Sequence, residues 1–176
     1  GLPDVAVRLI TDHARATTFM VGDGILPTNE GRGYVLRRLL RRAVRYGRLM
    51  GVTDVFMPEA VAAVIDTMKG AYPELEKERD RILLTVRLEE ERFLSALEQG
   101  SSMLDGVISR VLAEGGSVVP GDDVFRLYDT FGFPVDLTCE ILEENGLGID
   151  LEGFDTLMLE QKKRARAARM TQGEGG

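Results

Sequence analysis

Residues 27–51 read PTNEGRGYVLRRLLRRAVRYGRLMG, and this stretch decides the fold class. It carries a block of arginines with no acid among them: Arg37, Arg38, Arg41, Arg42, Arg45 and Arg48. On a helical wheel these side chains fall within an arc of roughly 140°, and apolar residues fill nearly all of the rest. The pattern predicts an amphipathic helix that ends near Gly51. Its apolar side, which includes Val35, packs on the domain, and its cationic side faces water or an anionic partner.

Helical periodicity continues on both sides of this segment, and no βαβ rhythm appears. It predicts helices over residues 4–20, 58–70, 73–113 and 150–170, and two shorter helices with a turn at 132–134 within residues 123–146. The 73–113 stretch is one long amphipathic helix or two, with Gly100 and Gly106 as the expected bending points. We therefore predict an all-α fold: a multi-helix, bundle-like domain with one long amphipathic helix and little or no sheet.

The predicted helical domain covers residues 1–170, with candidate sub-lobes at 1–70 and 71–170 and a flexible polar tail at 171–176. A chain that begins without Met and ends in such a tail is typical of a piece of a longer protein. The last helix ends in the basic sequence KKRARAAR. Cations are favourable near a helix C-terminus, which is sufficient to explain this second basic cluster.

Composition limits the classes of function. The formal net charge is −7, with 22 basic and 29 acidic residues, so any nucleic-acid binding must be local. The single Cys139 excludes an internal disulfide, and with His13 as the only histidine no metal site is expected. We expect His13 to be a satisfied core residue and Cys139 to be buried and inert. The sequence has no apolar run of membrane-spanning length and no signal-peptide pattern, which favours a cytoplasmic protein without a membrane partner.

The arginine block has two interpretations that the residues alone leave open. The arginines pair with acidic residues of neighbouring helices, or they bind phosphate. Pairs of like charge four residues apart, such as Arg37 and Arg41, repel each other, and guanidinium groups suit phosphate oxygens. At the start of this helix Asn29 is a candidate N-cap, while Gly31 and Gly33 allow close backbone approach.

Three stretches stand out as long motifs: DHARATTFMVGDGILPTNEGRGYVLRRLLRRAVRYGRLMG at 12–51, LYDTFGFPVDLTCEILEENGL at 127–147 and FDTLMLEQKKRARAA at 154–168. All three resemble signature stretches of alanyl-tRNA synthetases. The resemblance covers essentially the whole chain. It identifies the chain with the middle helical region, which in this family lies between the class II catalytic domain and the editing domain.

The resemblance implies that this region docks the acceptor stem of tRNA(Ala) and reads a G·U wobble pair from the minor groove. It assigns base reading to Asn29 and to Asp129, with Asp136 as the competing position for the carboxylate. RNA backbone contacts are expected from the arginine helix: Arg32, Arg37, Arg38, Arg41, Arg42, Arg45 and Arg48. An RNA helix is read in its wide minor groove, where the guanine amine needs an acceptor oxygen. Without the resemblance, Asp129 is better explained as a cap of the turn before Gly132.

The resemblance also implies an ATP-dependent alanine–tRNA ligase whose active site lies outside this chain. The class II catalytic motifs and the editing motifs are absent from the sequence, so no catalytic residue, metal or cofactor is assigned here. ATP and Mg belong to the implied catalytic domain and Zn to the implied editing domain, and both domains are expected partners. The aromatic residues Tyr128, Phe131 and Phe133 are expected in the core. The alternative function is a helical protein–protein interaction module, in which the arginine face docks an acidic partner and the long helix forms a coiled coil.

Overall fold

A computed structural model describes residues 1–173 of the chain. The elements, in chain order, are α1 Leu2–Gly22, α2 Gly31–Leu49, α3 Met57–Met68, α4 Pro73–Lys77, α5 Arg79–Ala113, β1 Val118–Val119, α6 Gly121–Phe131, α7 Val135–Glu144, β2 Gly148–Ile149 and α8 Leu151–Gly173. The two strands pair in parallel, with Val118 opposite Gly148 and Val119 opposite Ile149. The predicted all-α fold is therefore confirmed over the described residues.

The chain divides into two compact units, Gly1–Ser95 and Ala96–Gly176. The sub-lobe boundary near residue 70 stays a prediction from the sequence. Of the tail at 171–176, residues 171–173 belong to α8, and residues 174–176 lie outside the described part of the chain. Within residues 1–173, no helix combines the length and the apolar character that crossing a membrane requires.

In the first unit, α1 packs along α2 and also contacts α3. Pro3 stands in the first turn of α1, where its missing N–H has no helical partner to lose, and Asp4 complements the positive end of the helix. The core draws on every helix of this unit: Ala6, Ala14, Val21, Leu36, Leu40, Val44, Val61, Ile65, Leu75, Ile82, Val86 and Phe93.

In the second unit, α6 packs against α8 and α7. The strand before α6, β1, pairs with the strand after α7, β2. The core includes Val124, Leu127, Tyr128, Phe133, Leu137, Leu142 and Phe154. The Tyr128 and Phe154 rings meet edge to face at 5.9 Å. Burial of Tyr128 and Phe133 is as predicted, whereas Phe131 is only half-buried.

Helix α5 runs without interruption through Gly100, one of the two expected bending points. A Cβ at this position would lie 2.7 Å from the Phe133 ring. The glycine therefore serves close packing against an aromatic side chain rather than a bend in the helix.

Candidate nucleic-acid interface

The buried side of α2 is rotated relative to its apolar side. It includes Leu36, Leu40, Ala43 and Val44, but it also covers Arg41 and Arg45, which are 5% and 7% exposed. On the other side Val35 is 37% exposed. The prediction that the arginine side faces outward is wrong for Arg41 and Arg45, and the prediction that Val35 packs inward is also wrong. Arg32 and Arg48 are exposed, and Arg38 and Arg42 are half-buried.

The carboxylate of Glu89 on α5 explains this rotation. Glu89 is 1% exposed, and its Oε1 accepts hydrogen bonds from Arg37 Nε at 2.8 Å and Arg41 Nε at 3.0 Å. The Arg41 guanidinium also stacks over the Phe93 ring, 5.0 Å from its centroid. A buried charge is tolerated only with a partner of opposite sign, and here the Glu89 carboxylate and the two guanidinium groups neutralise one another. The internal-pairing interpretation of the sequence thus holds for Arg37 and Arg41.

Burial also acts on the protonation of Arg41. Removal from water lowers the pKa of Arg41, and the neighbouring Glu89 carboxylate opposes this shift. The pair is therefore a structural ion pair that fastens α2 to α5.

Asn29 lies exposed in the loop that precedes α2. Its Oδ1 accepts a hydrogen bond from Arg37 Nη1 at 2.5 Å, while Arg37 Nη2 donates to the Pro27 carbonyl at 3.2 Å. The N-cap of α2 is Glu30, without a side-chain cap bond, so the N-cap prediction for Asn29 is wrong. The bond from the Arg37 guanidinium is charge-assisted, which makes it stronger than a bond from a neutral backbone N–H.

Gly33 fixes the path of this loop. A Cβ at Gly33 would lie 2.0 Å from Thr28 Oγ1 and 2.5 Å from the Leu26 carbonyl oxygen. The Thr28 N–H donates to the Gly33 carbonyl at 3.2 Å. The predicted close backbone approach is therefore real at Gly33, and it sets the loop that carries Asn29.

Asp129 lies exposed in the last turn of α6. Its Oδ1 accepts a hydrogen bond from Gln161 Nε2 of α8 at 2.6 Å, so this carboxylate bonds to a side chain of another helix rather than capping the turn at Gly132. The competing Asp136 is also exposed and stands in the first turn of α7. A carboxylate in the first turn stabilises the helix by complementing its positive end, so Asp136 has a structural role that does not depend on RNA.

The basic part of α8 is a feature that the sequence analysis explained wrongly. The exposed cations of this part are Lys162, Lys163, Arg164, Arg166 and Arg169. None of them lies in the last turn of α8, so a favourable interaction with the helix terminus does not account for them. Residues 161–173 contain no acid, and that absence is the signal that points to a second basic surface.

The remaining candidates have simpler explanations. His13 is half-buried, and its Nε2 has no hydrogen-bond partner among the described residues, so it is not the satisfied core residue we expected. Cys139 is half-buried, and burial raises the pKa of its thiol, which disfavours the reactive thiolate. Within residues 1–173, no three His, Cys, Asp or Glu side chains are grouped as a metal site would need.

The model of the family described as tRNA synthetases class II (A) matches residues 2–174. The chain belongs to this family. It is 55% identical to the alanine–tRNA ligase of Desulforamulus reducens over 166 residues, which is 94% of this chain and 19% of that protein. The corresponding ligase of Pelotomaculum thermopropionicum is 53% identical over 96% of this chain, and that of Nitratidesulfovibrio vulgaris is 53% identical over 97%.

The chain spans about a fifth of the length of the curated alanine–tRNA ligases it matches: 19% of the first two and 20% of the third. It thus corresponds to one region of such class II synthetases.

Proposed function

We propose that this chain is the acceptor-stem recognition region of an alanine–tRNA ligase and directs alanylation to tRNA(Ala) by reading a G·U pair from the minor groove. The observation that carries this proposal is the identity of 53–55% to alanine–tRNA ligases over 94–97% of the chain. In this proposal ATP and Mg act in a catalytic domain and Zn in an editing domain of the same longer cytoplasmic protein.

Asn29 and Asp129 are the proposed base-reading side chains. Both are exposed, one in each compact unit. The exocyclic amine of guanine is the distinctive donor of the minor groove, and amide and carboxylate oxygens accept from it. Such an oxygen can accept more than one hydrogen bond, so the bonds from Arg37 and Gln161 are compatible with contact to RNA.

The proposed phosphate contacts come from two surfaces. On α2 we assign them to Arg32, Arg38, Arg42 and Arg48, which reach solvent at least in part. Arg41 and Arg45 are buried and drop out of this role. On α8 the exposed cations from Lys162 to Arg169 form the second surface. Phosphate contacts set the register of the RNA, and the base contacts carry the specificity.

The first turns of α1 offer a contact for another domain of the longer protein. Leu2 and Val5, which lie one turn apart on the same face of α1, are 50% and 55% exposed. Exposed apolar side chains that share a helix face are typical of a protein–protein contact. We propose that a neighbouring domain of the same chain covers this face.

Alanylation by the full-length ligase tests the base-reading roles. Asn29→Ala and Asp129→Ala are compared with Asp136→Ala, on a tRNA with the G·U pair and on one with G·C. We expect each of the first two changes to lower kcat/KM on the G·U substrate about tenfold, because each removes one hydrogen bond to the RNA. Alanine activation without tRNA should be unchanged by all three.

The outcomes separate the two carboxylates. If Asp136→Ala lowers the preference for G·U while Asp129→Ala does not, the carboxylate role moves to Asp136. If neither Asn29→Ala nor either aspartate change affects the preference for G·U, the proposed function is wrong.

A further inference from the structure

We infer that Arg37 is a positioning residue for base reading and that the buried Glu89 carboxylate is its anchor. The Glu89–Arg37 pair holds the side-chain amide of Asn29 in one orientation. This inference rests on the proposed role of Asn29 in contacting RNA. It goes beyond that role because it makes discrimination depend on a buried residue of α5 that itself does not reach the surface.

Each of the three nitrogens of the Arg37 guanidinium donates a hydrogen bond. Nε donates to Glu89 at 2.8 Å, Nη1 to Asn29 at 2.5 Å and Nη2 to the Pro27 carbonyl at 3.2 Å. The Arg37 side chain is 15% exposed. A planar guanidinium bonded on all three nitrogens has little freedom to rotate, so it transmits a fixed position from α5 to the loop.

Glu89 is suited to the role of an anchor. It is 1% exposed, and Arg41 binds the same oxygen with Nη2 at 2.9 Å. A side chain this deeply buried and bonded to two cations cannot change rotamer without breaking both ion pairs. Arg37 is therefore fixed from the inside of the molecule.

The donors of Arg37 also decide which atom of the Asn29 amide lies against the guanidinium. A guanidinium has no acceptor, so the atom that faces it must be the carbonyl oxygen and not the amide nitrogen. An exposed asparagine side chain could otherwise rotate its amide by half a turn. That rotation would exchange the oxygen, which accepts hydrogen bonds, for the nitrogen, which donates them. Fixing the amide removes a loss of side-chain entropy on RNA binding, and it holds in place an oxygen that can accept a second hydrogen bond, from the guanine amine.

A double-mutant cycle in the full-length ligase tests the inference. Alanylation kcat/KM is measured on G·U and G·C tRNA for wild type, Arg37→Lys, Asn29→Ala and the double variant. The change Arg37→Lys keeps the positive charge but removes the planar guanidinium that donates to three acceptors at once. We expect it to lower the ratio of G·U to G·C activity several-fold. In the Asn29→Ala background the same change should leave the ratio unaltered, because its effect passes through Asn29.

Controls separate positioning from folding and from phosphate binding. Arg37→Gln, which keeps donors without the charge, provides a second variant if Arg37→Lys lowers the melting temperature. Arg32→Gln on the same helix should reduce activity on both tRNAs by the same factor, since a phosphate contact carries no sequence information. A change in the G·U to G·C ratio with Arg32→Gln as large as that with Arg37→Lys would overturn the inference.

The result also distinguishes this inference from the proposed function. If Asn29→Ala lowers the ratio but the effect of Arg37→Lys is absent or simply additive to it, the positioning role is wrong and the base-reading role stands. If Asn29→Ala leaves the ratio unchanged, both are wrong.

Discussion

The imidazole of His13 lies half-buried on α1, where the positive charges of Arg42 and Arg38 act on it electrostatically. Burial lowers the pKa of His13 below its usual 6.5, Arg42 lowers it further, Asp12 opposes this and Arg38 adds to it. The folded chain therefore holds this ring neutral at neutral pH. The unfolded chain takes up the proton first as the pH falls, so His13 favours unfolding below about pH 6.5.

This linkage predicts a pH-dependent stability that one substitution removes. Between about pH 7.5 and about pH 5.5 the free energy of unfolding should fall more for the wild-type chain than for His13→Gln. The difference should be less than about 1 kcal/mol, because solvent screens a half-exposed ring. Denaturant titration of both proteins at the two pH values measures it, and His13 is the only histidine in the sequence. Parallel losses of stability in the two proteins would contradict the lowered pKa.

Single residues also mark the limit of what the sequence could predict. The wheel of residues 37–48 identifies a helix with separate cationic and apolar sides, and the structure has that helix. It could not reveal that Glu89, 52 positions from Arg37, would be the buried partner of two of those arginines. Composition shows only that acids are available. The exposed half of the cluster and the buried half therefore look alike in sequence.

At the scale of elements, the N-terminus of α3 depends on a residue of α5. The N-cap position, Phe56, has no side-chain acceptor. The carboxylate of Glu90 takes its place, accepting from the Phe56 N–H at 3.0 Å and the Met57 N–H at 2.7 Å. Burial raises the pKa of Glu90, and these two backbone bonds counteract that shift. An anionic acceptor at a helix N-terminus also complements the helix dipole.

Loss of this cap should destabilise the first unit. We expect Glu90→Ala to lower the free energy of unfolding by about 1–3 kcal/mol, because a buried and a partly buried N–H group lose their acceptor. Glu90→Gln should cost less, since an amide oxygen still accepts. The adjacent, exposed Glu91 provides the matched control, and Glu91→Ala should change stability by no more than about 0.5 kcal/mol. Equal effects of Glu90→Ala and Glu91→Ala in denaturant unfolding would refute the capping role.

Most helices could be predicted from periodicity and from their end signals. The helix predicted at residues 4–20 is observed as Leu2–Gly22, and the helix predicted at residues 58–70 is observed as Met57–Met68. The β1–β2 pair was missed because two-residue strands have no alternation to detect and their partners lie far apart in sequence. The basic part of α8 was recognised but misinterpreted, because only the extent of the helix over the described residues, up to Gly173, shows that these cations lie before its last turn.

At the scale of the whole molecule, the formal charge of −7 coexists with local basic surfaces on α2 and α8. An acidic protein repels polyanions at long range, and binding then requires specific contacts at short range. Such a distribution favours recognition of one RNA over indiscriminate attraction to any RNA.

The two basic surfaces predict a salt dependence of tRNA binding. Arg38→Gln with Arg42→Gln on α2, or Lys162→Gln with Arg166→Gln on α8, should flatten the plot of log Kd against log salt concentration. The slope should fall by about one for each phosphate contact removed. Lys77→Gln, an exposed cation on α4, is the control and should leave the slope as it is. A slope that neither pair of changes alters would contradict the assignment of these side chains to phosphate.

We propose that side-chain oxygens of this chain read the minor-groove amine of guanine in a G·U pair. Replacing that guanine by inosine removes only the amine, so alanylation of the I·U tRNA by the full-length ligase is the most direct test. We predict that wild type loses about tenfold or more in kcat/KM on this change. The Asn29→Ala, Asp129→Ala double variant should charge the two tRNAs at nearly equal rates. An unreduced preference of that variant for G·U over I·U would contradict the account.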